Sequence, residues 1–280
     1  GYSDLSVSGT WNSTAGSKVN AMGRGDLDAL ALTNQGQWAA NNLVLNADTL
    51  TNGGVTSGVN GLALTLNGAL TQQPTGTLQS NGVLSVTAAS VANQGKVVGG
   101  TLAITTGALT NSGRLQSDSD TTLTLSGNLT NNASGEIVSG RGLTVTTPSM
   151  LNYGLIQGSG ETRLDATTLA SNDGKVLSGG RLTLTAPQYT GTGVLQSTNL
   201  ILNAASNTVS GKLVADQMTL TGDTFTNQGT TQACELALNY GQLTNNGTLL
   251  GTSKLSVNAT QVDQSASGKL FSGGDLFVGA

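Results

Sequence analysis

What this chain has little of narrows the field before any motif is read. Of its 280 residues only 9% are charged and 3% aromatic, and histidine is absent altogether. An average domain is about 25% charged, so the polar surface here must be built mainly from neutral groups. The net charge of −4 is small for the length and steers the chain toward neither nucleic acid nor an anionic membrane. Cys234 is the only cysteine, which excludes an internal disulfide framework and any multi-cysteine metal site. It reads either as an inert small side chain of core or corner, or as a reactive or intermolecularly bridged thiol. No apolar run approaches the roughly 20 residues of a membrane helix, so the chain is not expected to be membrane-embedded. The start, Gly1-Tyr2-Ser3-Asp4, has neither the basic nor the apolar region of a signal peptide.

Disorder is not implied by this poverty of charge. Hydrophobic residues make up 36% of the chain, whereas disordered segments combine low hydrophobicity with high net charge. Proline occurs 3 times and glycine 40 times, with Thr, Ser, Asn and Leu filling most of the remainder. Thr and Val suit pleated strands, and Gly and Asn suit the tight turns between them.

The dominant signal is repetition. Leu-x-Leu-type pairs open at Leu5, Leu27, Leu43, Leu62, Leu84, Leu102, Leu123 and Leu143. They continue at Leu164, Leu182, Leu200, Met218, Leu236, Leu255 and Leu276, at intervals of 16 to 22 residues. A second mark, Gly-x-apolar, follows in most units, as in Gly95-Lys96-Val97 and Gly211-Lys212-Leu213. Asn precedes several of these glycines: Asn34, Asn93, Asn111, Asn131, Asn152, Asn172, Asn227 and Asn245. Within a unit the alternation has period two, as in Leu123-Thr124-Leu125, which marks strands with one buried face.

One such unit is too small to bury its own apolar face, and stacking solves that. Each strand then pairs with its equivalent one turn away, and the leucines form continuous inner columns. The expected fold is a parallel β-helix of about fourteen coils of about 19–20 residues, rising about 4.8 Å per coil. Residues 1–280 read as a single repeat domain, an internal fragment of a longer filament. Gly and Asn are assigned to corners that need a left-handed backbone, and stacked Asn side chains are expected to hydrogen-bond along a ladder.

Residues 109–140, "LTNSGRLQSDSDTTLTLSGNLTNNASGEIVSG", resemble the haemagglutinin-type repeats of filamentous haemagglutinin and related two-partner-secretion exoproteins. That group includes the effectors of contact-dependent growth inhibition. The resemblance implies a right-handed β-helix, secretion through a dedicated outer-membrane transporter, and a place on the outer surface of a Gram-negative cell. The Asn-Pro-Asn signatures of the family's secretion domain do not occur in the chain.

No catalytic, cofactor or metal constellation is expected. The acidic pairs Asp26/Asp28, near Arg24, and Asp118/Asp120 read as turn-capping and solvated groups rather than a general acid–base pair or calcium ligands. Trp38 is assigned to the core, while Tyr153, Tyr189 and Tyr240 fall near expected corners where exposure suits them. Sequons at Asn12, Asn128, Asn132, Asn246 and Asn258 stay open, and outward Thr pairs fit strand propensity better than an ice-binding array. The best-ordered surface feature is the variable slot of the Gly-x-apolar mark. Lys96, Arg114, Lys175, Lys212 and Lys269, interrupted by Glu136, should line one face. That column reads as a solvated face that resists sideways strand addition, or as a contact for anionic host glycans. The largest breaks in the repeat, at 19–31 and 185–192, are where an unforeseen site is expected. The functional reading is a structural stalk segment presenting an adhesive or toxin-bearing tip. An adhesin segment contacting host glycans or a bacterial receptor comes second, and a β-helical polysaccharide-active enzyme a distant third.

Overall fold

The computed structural model describes residues 1–279. These residues form 23 strands and no helix, and wind through about 15 turns. Fifteen repeat openings bound fourteen intervals, which accounts for the one-turn difference from the interval count. The chain divides into two compact units, Gly1–Val145 and Thr146–Ala280, and each is a parallel β-solenoid.

Register within each unit follows the repeat. In the first, Leu43 pairs with Leu62, Leu62 with Leu84, and Leu84 with Leu102. In the second, Leu182, Leu200, Met218, Leu236 and Leu255 stand in one inward column. These side chains are 0–2% exposed for all but Leu43, which is 7%. Each contributes on the order of 1.5–3 kcal/mol through burial, before conformational entropy is set against it.

A single turn shows how three faces arise from one strand. Along Lys212–Asn227 buried and exposed residues alternate, but the alternation resets at Asp216-Gln217 and again at Gly222-Asp223. At each reset the strand turns a corner, leaving three straight runs: Lys212 to Ala215, Gln217 to Thr221, and Thr224 to Asn227. Inward Leu213, Met218, Leu220 and Phe225 fill the interior. Outward residues are therefore sorted onto three separate faces by their place in the repeat.

Two expectations are corrected. Gly16, with φ of 83°, is the only described residue with a left-handed backbone. Most corner glycines instead answer to crowding: a Cβ on Gly193 would stand 2.1 Å from the Gly174 carbonyl oxygen, and one on Gly113 would stand 2.2 Å from that of Gly95. Second, four Leu-x-Leu openings sit two residues late: Leu5 stacks on the displaced Leu27 while Ser3 stands beside Gly25, and three more depart from the column in the same way. Leu27 pairs with Leu45, Leu123 with Ile104, and Leu164 with Leu184. The column position they appeared to fill belongs to Gly25, Thr121 and Thr162 respectively.

Candidate functional site

The asparagines assigned to corners point inward. Asn34, Asn93, Asn111, Asn131, Asn152, Asn172, Asn227 and Asn245 are all at most 1% exposed. Asn34 Nδ2 donates to Asn52 Oδ1 at 3.0 Å, and Asn52 Nδ2 donates to Gln72 Oε1 at 3.0 Å. Further on in the same unit, Asn93 donates to Asn111 at 2.7 Å, and Asn111 to Asn131 at 2.8 Å. In the second unit Asn152 donates to Asn172, Asn227 to Asn245, and Asn245 to Gln264. Each of these side-chain bonds runs from a lower to a higher turn. Asn52, Gln72 and Gln264 were missed as members, although Leu50-Thr51-Asn52-Gly53 carries the same signature.

The second unit's ladder position passes from Asn172 through Gly191 and Val209 to Asn227. At Gly191 no side chain follows Asn172. Tyr189 fills the gap: it is 2% exposed, and its hydroxyl hydrogen-bonds the Asn172 side chain. Tyr240 is 6% exposed, accepts a bond from Asn207 Nδ2 at 3.1 Å, and packs against Phe225 at 5.0 Å between centroids. Burial raises both phenols above their ordinary value. The corner placement of Tyr189 and Tyr240 is thereby overturned: Tyr189 turns inward where Gly191 leaves the amide column without a carboxamide, and Tyr240 turns inward over Gly222, its neighbour one turn below, to reach Asn207. Tyr153 is exposed and Trp38 is buried, the latter donating from Nε1 to Ser13 Oγ at 2.7 Å.

The acidic pairs do not converge. Asp26 accepts from the Tyr2 hydroxyl at 2.6 Å and from Arg24 Nε at 2.9 Å, whereas Asp28 accepts from Asn46 Nδ2 at 2.7 Å. Burial pushes the Asp26 carboxyl up, but Tyr2 and Arg24 outweigh it and hold the group below the usual carboxylate range. Asp120 accepts from the Gly142 amide at 2.9 Å in the 118–120 turn. No group of three or more potential metal-ligating side chains occurs among the described residues. Cys234 is exposed, with Sγ 3.2 Å from Ser253 Oγ, so it is a corner residue and not a core one.

Of the two repeat breaks, the first holds a cavity of about 70 Å³, lined mainly by apolar groups that include Leu5, Val19, Leu27, Trp38 and Leu43. It arises where Gly25 stands in the leucine column and the register shifts between Ala21 and Arg24, leaving Met22 99% exposed. The second break is an unbroken strand, Arg181–Gly191, carrying Tyr189 inward.

The cationic slot does form columns. In the first unit Thr77, Lys96, Arg114 and Glu136 succeed one another in register. Lys18 shares the position, paired through Gln37 and Val55 to Thr77. Arg114 Nη1 lies 3.0 Å from Glu136 Oε2, so one cation there is matched. In the second unit the column runs Leu155, Lys175, Val194, Lys212, Thr230, Thr248, Lys269. Its lysines therefore stand two and three strand spacings apart, on the order of 10 and 14 Å.

Comparison with known proteins places these features in context. The profile described as "Haemagglutinin repeat" matches residues 1–73, 38–133, 120–186, 190–232 and 235–278. The chain is 44% identical over 201 residues to "tRNA nuclease CdiA" of Escherichia coli strain STEC_O31, covering 72% of this chain and 6% of that protein. It is 43% identical over 211 residues to "Toxin CdiA" of Escherichia coli, covering 75% of this chain and 7% of the relative. A "Deoxyribonuclease CdiA" of Dickeya dadantii strain 3937 is 36% identical over 167 residues, 60% of this chain and 5% of that one. The chain thus matches only a small fraction of the length of these relatives. No solved structure matches it.

Proposed function

The chain belongs to the haemagglutinin repeat family, and on that premise we propose that it serves as a structural stalk segment of a two-partner-secretion exoprotein that carries a toxin at its tip. The observation that carries this reading is a repeat match spread through nearly the whole chain, combined with parallel register that repeats turn after turn in each unit. Such a fold sets length and stiffness, because every turn adds one strand spacing and buries its own apolar face against its neighbours. The related toxins differ in their named targets, tRNA, DNA and 16S rRNA, while sharing this repeat region. That pattern supports a stalk indifferent to its cargo, and with it the reading that these residues perform no catalytic step. The same family membership supports export through an outer-membrane transporter and display at the cell surface. No helix among the described residues is long and apolar enough to cross a membrane.

A repeat exchange tests the stalk. In the Escherichia coli relative, the matching repeats are deleted, then replaced with an equal number of turns taken from elsewhere in the same protein. Deletion is expected to lower inhibition of target cells, and the exchange to restore it. Failure of the exchange, with surface display intact, would show that these particular repeats make a specific contact.

A second reading is favoured by one observation, the in-register lysines of the second unit. In it the column Lys175, Lys212 and Lys269 contacts an anionic ligand on a host or bacterial surface, a glycan being one such ligand.

A further inference from the structure

Resting on that second reading, we infer that the lysine-bearing face of the second unit binds an anionic lipid bilayer, with each lysine acting beside an outward apolar side chain on the same strand.

The pairing is a matter of register. Outward residues on a strand stand two apart, and Lys175, Lys212 and Lys269 are followed at that spacing by Leu177, Val214 and Phe271. Leu177 and Val214 are half-buried, and Phe271 is exposed. Along the apolar column glutamine alternates with these side chains: Gln157 pairs with Leu177, Leu177 with Gln196, and Gln196 with Val214. Beyond them Leu250 pairs with Phe271. Every lysine is thus flanked by hydrocarbon, as an anionic head joined to an acyl chain requires, and a hydrophilic polyanion does not.

Charge separates this face from the others. Its outward positions from Leu155 to Phe271 carry three lysines and no carboxylate. Asp173 and Asp216 lie at bordering corners, and Asp173 already accepts from the Thr192 amide and hydroxyl at 3.0 and 2.8 Å. The next face of the same unit mixes both signs, with Arg163 on Asp165 at 2.6 Å and Arg181 near Glu161 at 3.9 Å. The third face presents Thr190, Thr208, Thr226 and Thr244 in one column. Whole-chain net charge hides this segregation. Cationic residues set among apolar ones are the composition that seats a surface in the headgroup region of an anionic leaflet. In the first unit Lys96 has Val98 as its outward neighbour, but Lys18 has Asn20 and the cation next to Lys96 in register, Arg114, is matched by Glu136, so no run of unmatched lysine–apolar pairs forms there.

Flotation of the full chain with vesicles tests the proposal, using phosphatidylcholine alone and phosphatidylcholine mixed with phosphatidylglycerol, with heparin binding measured in parallel. The wild type is expected to float only with the anionic vesicles. The K175Q/K212Q/K269Q variant should bind them about a hundredfold less tightly. L177S/V214S should bind them about tenfold less tightly without losing any heparin affinity, and K18Q/K96Q should match wild type. Circular dichroism confirms folding of each variant, since all altered side chains face outward. Lysine-dependent heparin binding without vesicle binding, or vesicle binding indifferent to Leu177 and Val214, overturns the lipid proposal and leaves the second reading standing. Binding to neither ligand overturns both.

Discussion

Asn111 Nδ2 donates to Asn131 Oδ1 at 2.8 Å, one turn further on, with both side chains sealed from solvent. The same nitrogen also donates to the Glu136 carbonyl at 3.2 Å, and the Asn111 oxygen receives the Asn93 amide. One side chain thus ties together three turns. Removing it should cost about 2–4 kcal/mol, since buried groups lose their partners at about 1–3 kcal/mol each. Urea denaturation of Asn111→Ala should show this as a lower midpoint. The outward neighbour substitution Thr110→Ala should stay within about 0.5 kcal/mol of wild type, and equal effects of the two would refute the ladder's role.

Glycine at a crowded corner and glycine on an open face should respond oppositely to alanine. At Gly193 the new methyl meets the Gly174 carbonyl oxygen at 2.1 Å, with the Asp173 carbonyl carbon at 2.8 Å. That backbone cannot move without disturbing the pairing below, so Gly193→Ala should destabilise by about 3 kcal/mol or more. At Gly61 the nearest atom is the Asn42 side-chain oxygen at 3.1 Å, on an exposed residue that can give way. Gly61→Ala should be neutral, or stabilising by about 0.5 kcal/mol through the unfolded chain. Thermal melts of the two variants decide it, and a similar loss in both would contradict the crowding account.

Asn207 and Tyr240 should behave as a unit. Asn207 Nδ2 bonds the Tyr240 hydroxyl and the Ala204 carbonyl, while its Oδ1 finds no partner within an apolar column between Tyr189 and Phe225. Asn207→Leu alone strands the phenol and should destabilise. Removing both polar partners in Asn207→Leu/Tyr240→Phe should restore stability to wild type or above. A double-mutant cycle measured by chemical denaturation gives the coupling, and additive losses would rule it out.

Stability should respond to acid partly through Asp26. Its folded carboxyl lies below its unfolded value, so its contribution is present above the unfolded pKa and is lost as pH falls through the folded one. Wild type should therefore melt above Asp26→Asn at neutral pH, and the two curves should converge below about pH 4. A difference that persists unchanged at low pH would count against the Tyr2–Asp26–Arg24 arrangement. With no histidine in the chain, no imidazole titration should appear between about pH 5 and 8.

Cys234 should react with a maleimide at once in native buffer, because the residue is exposed. Cys234→Ser should melt with the wild type, since the thiol is exposed and its polar contact is the Ser253 hydroxyl. Labelling that requires denaturant would show that the corner is covered.

Much of the fold was legible because stacking ties sequence period to spatial period. Leu84 and Leu102 share a column, and Lys96 and Arg114 are adjacent in register, as equal places in successive repeats must be. Reading failed where a corner changed its length or a position in the column changed its filling. Leu27 looked like a repeat opening, yet the extra residue at the Met22 corner moves it to pair with Leu45 and leaves Gly25 in the column. Tyr189 and Tyr240 looked like corner residues because the gap at Gly191 that admits Tyr189 is invisible along one repeat.

The sequence by itself determined that this chain is a stack of β turns: a period-two pattern nested in a period near nineteen has no other economical way to bury its leucines. It also set which residues share a face. Tertiary structure alone decided what lies within hydrogen-bond reach across turns. The one-way run of amides from Asn34 to Gln72 and the Tyr189 hydroxyl standing in where Gly191 has no side chain both depend on residues about nineteen apart. Their distance is fixed by register and corner length, quantities that a small insertion at a corner such as Met22 changes while the hydrophobic pattern continues.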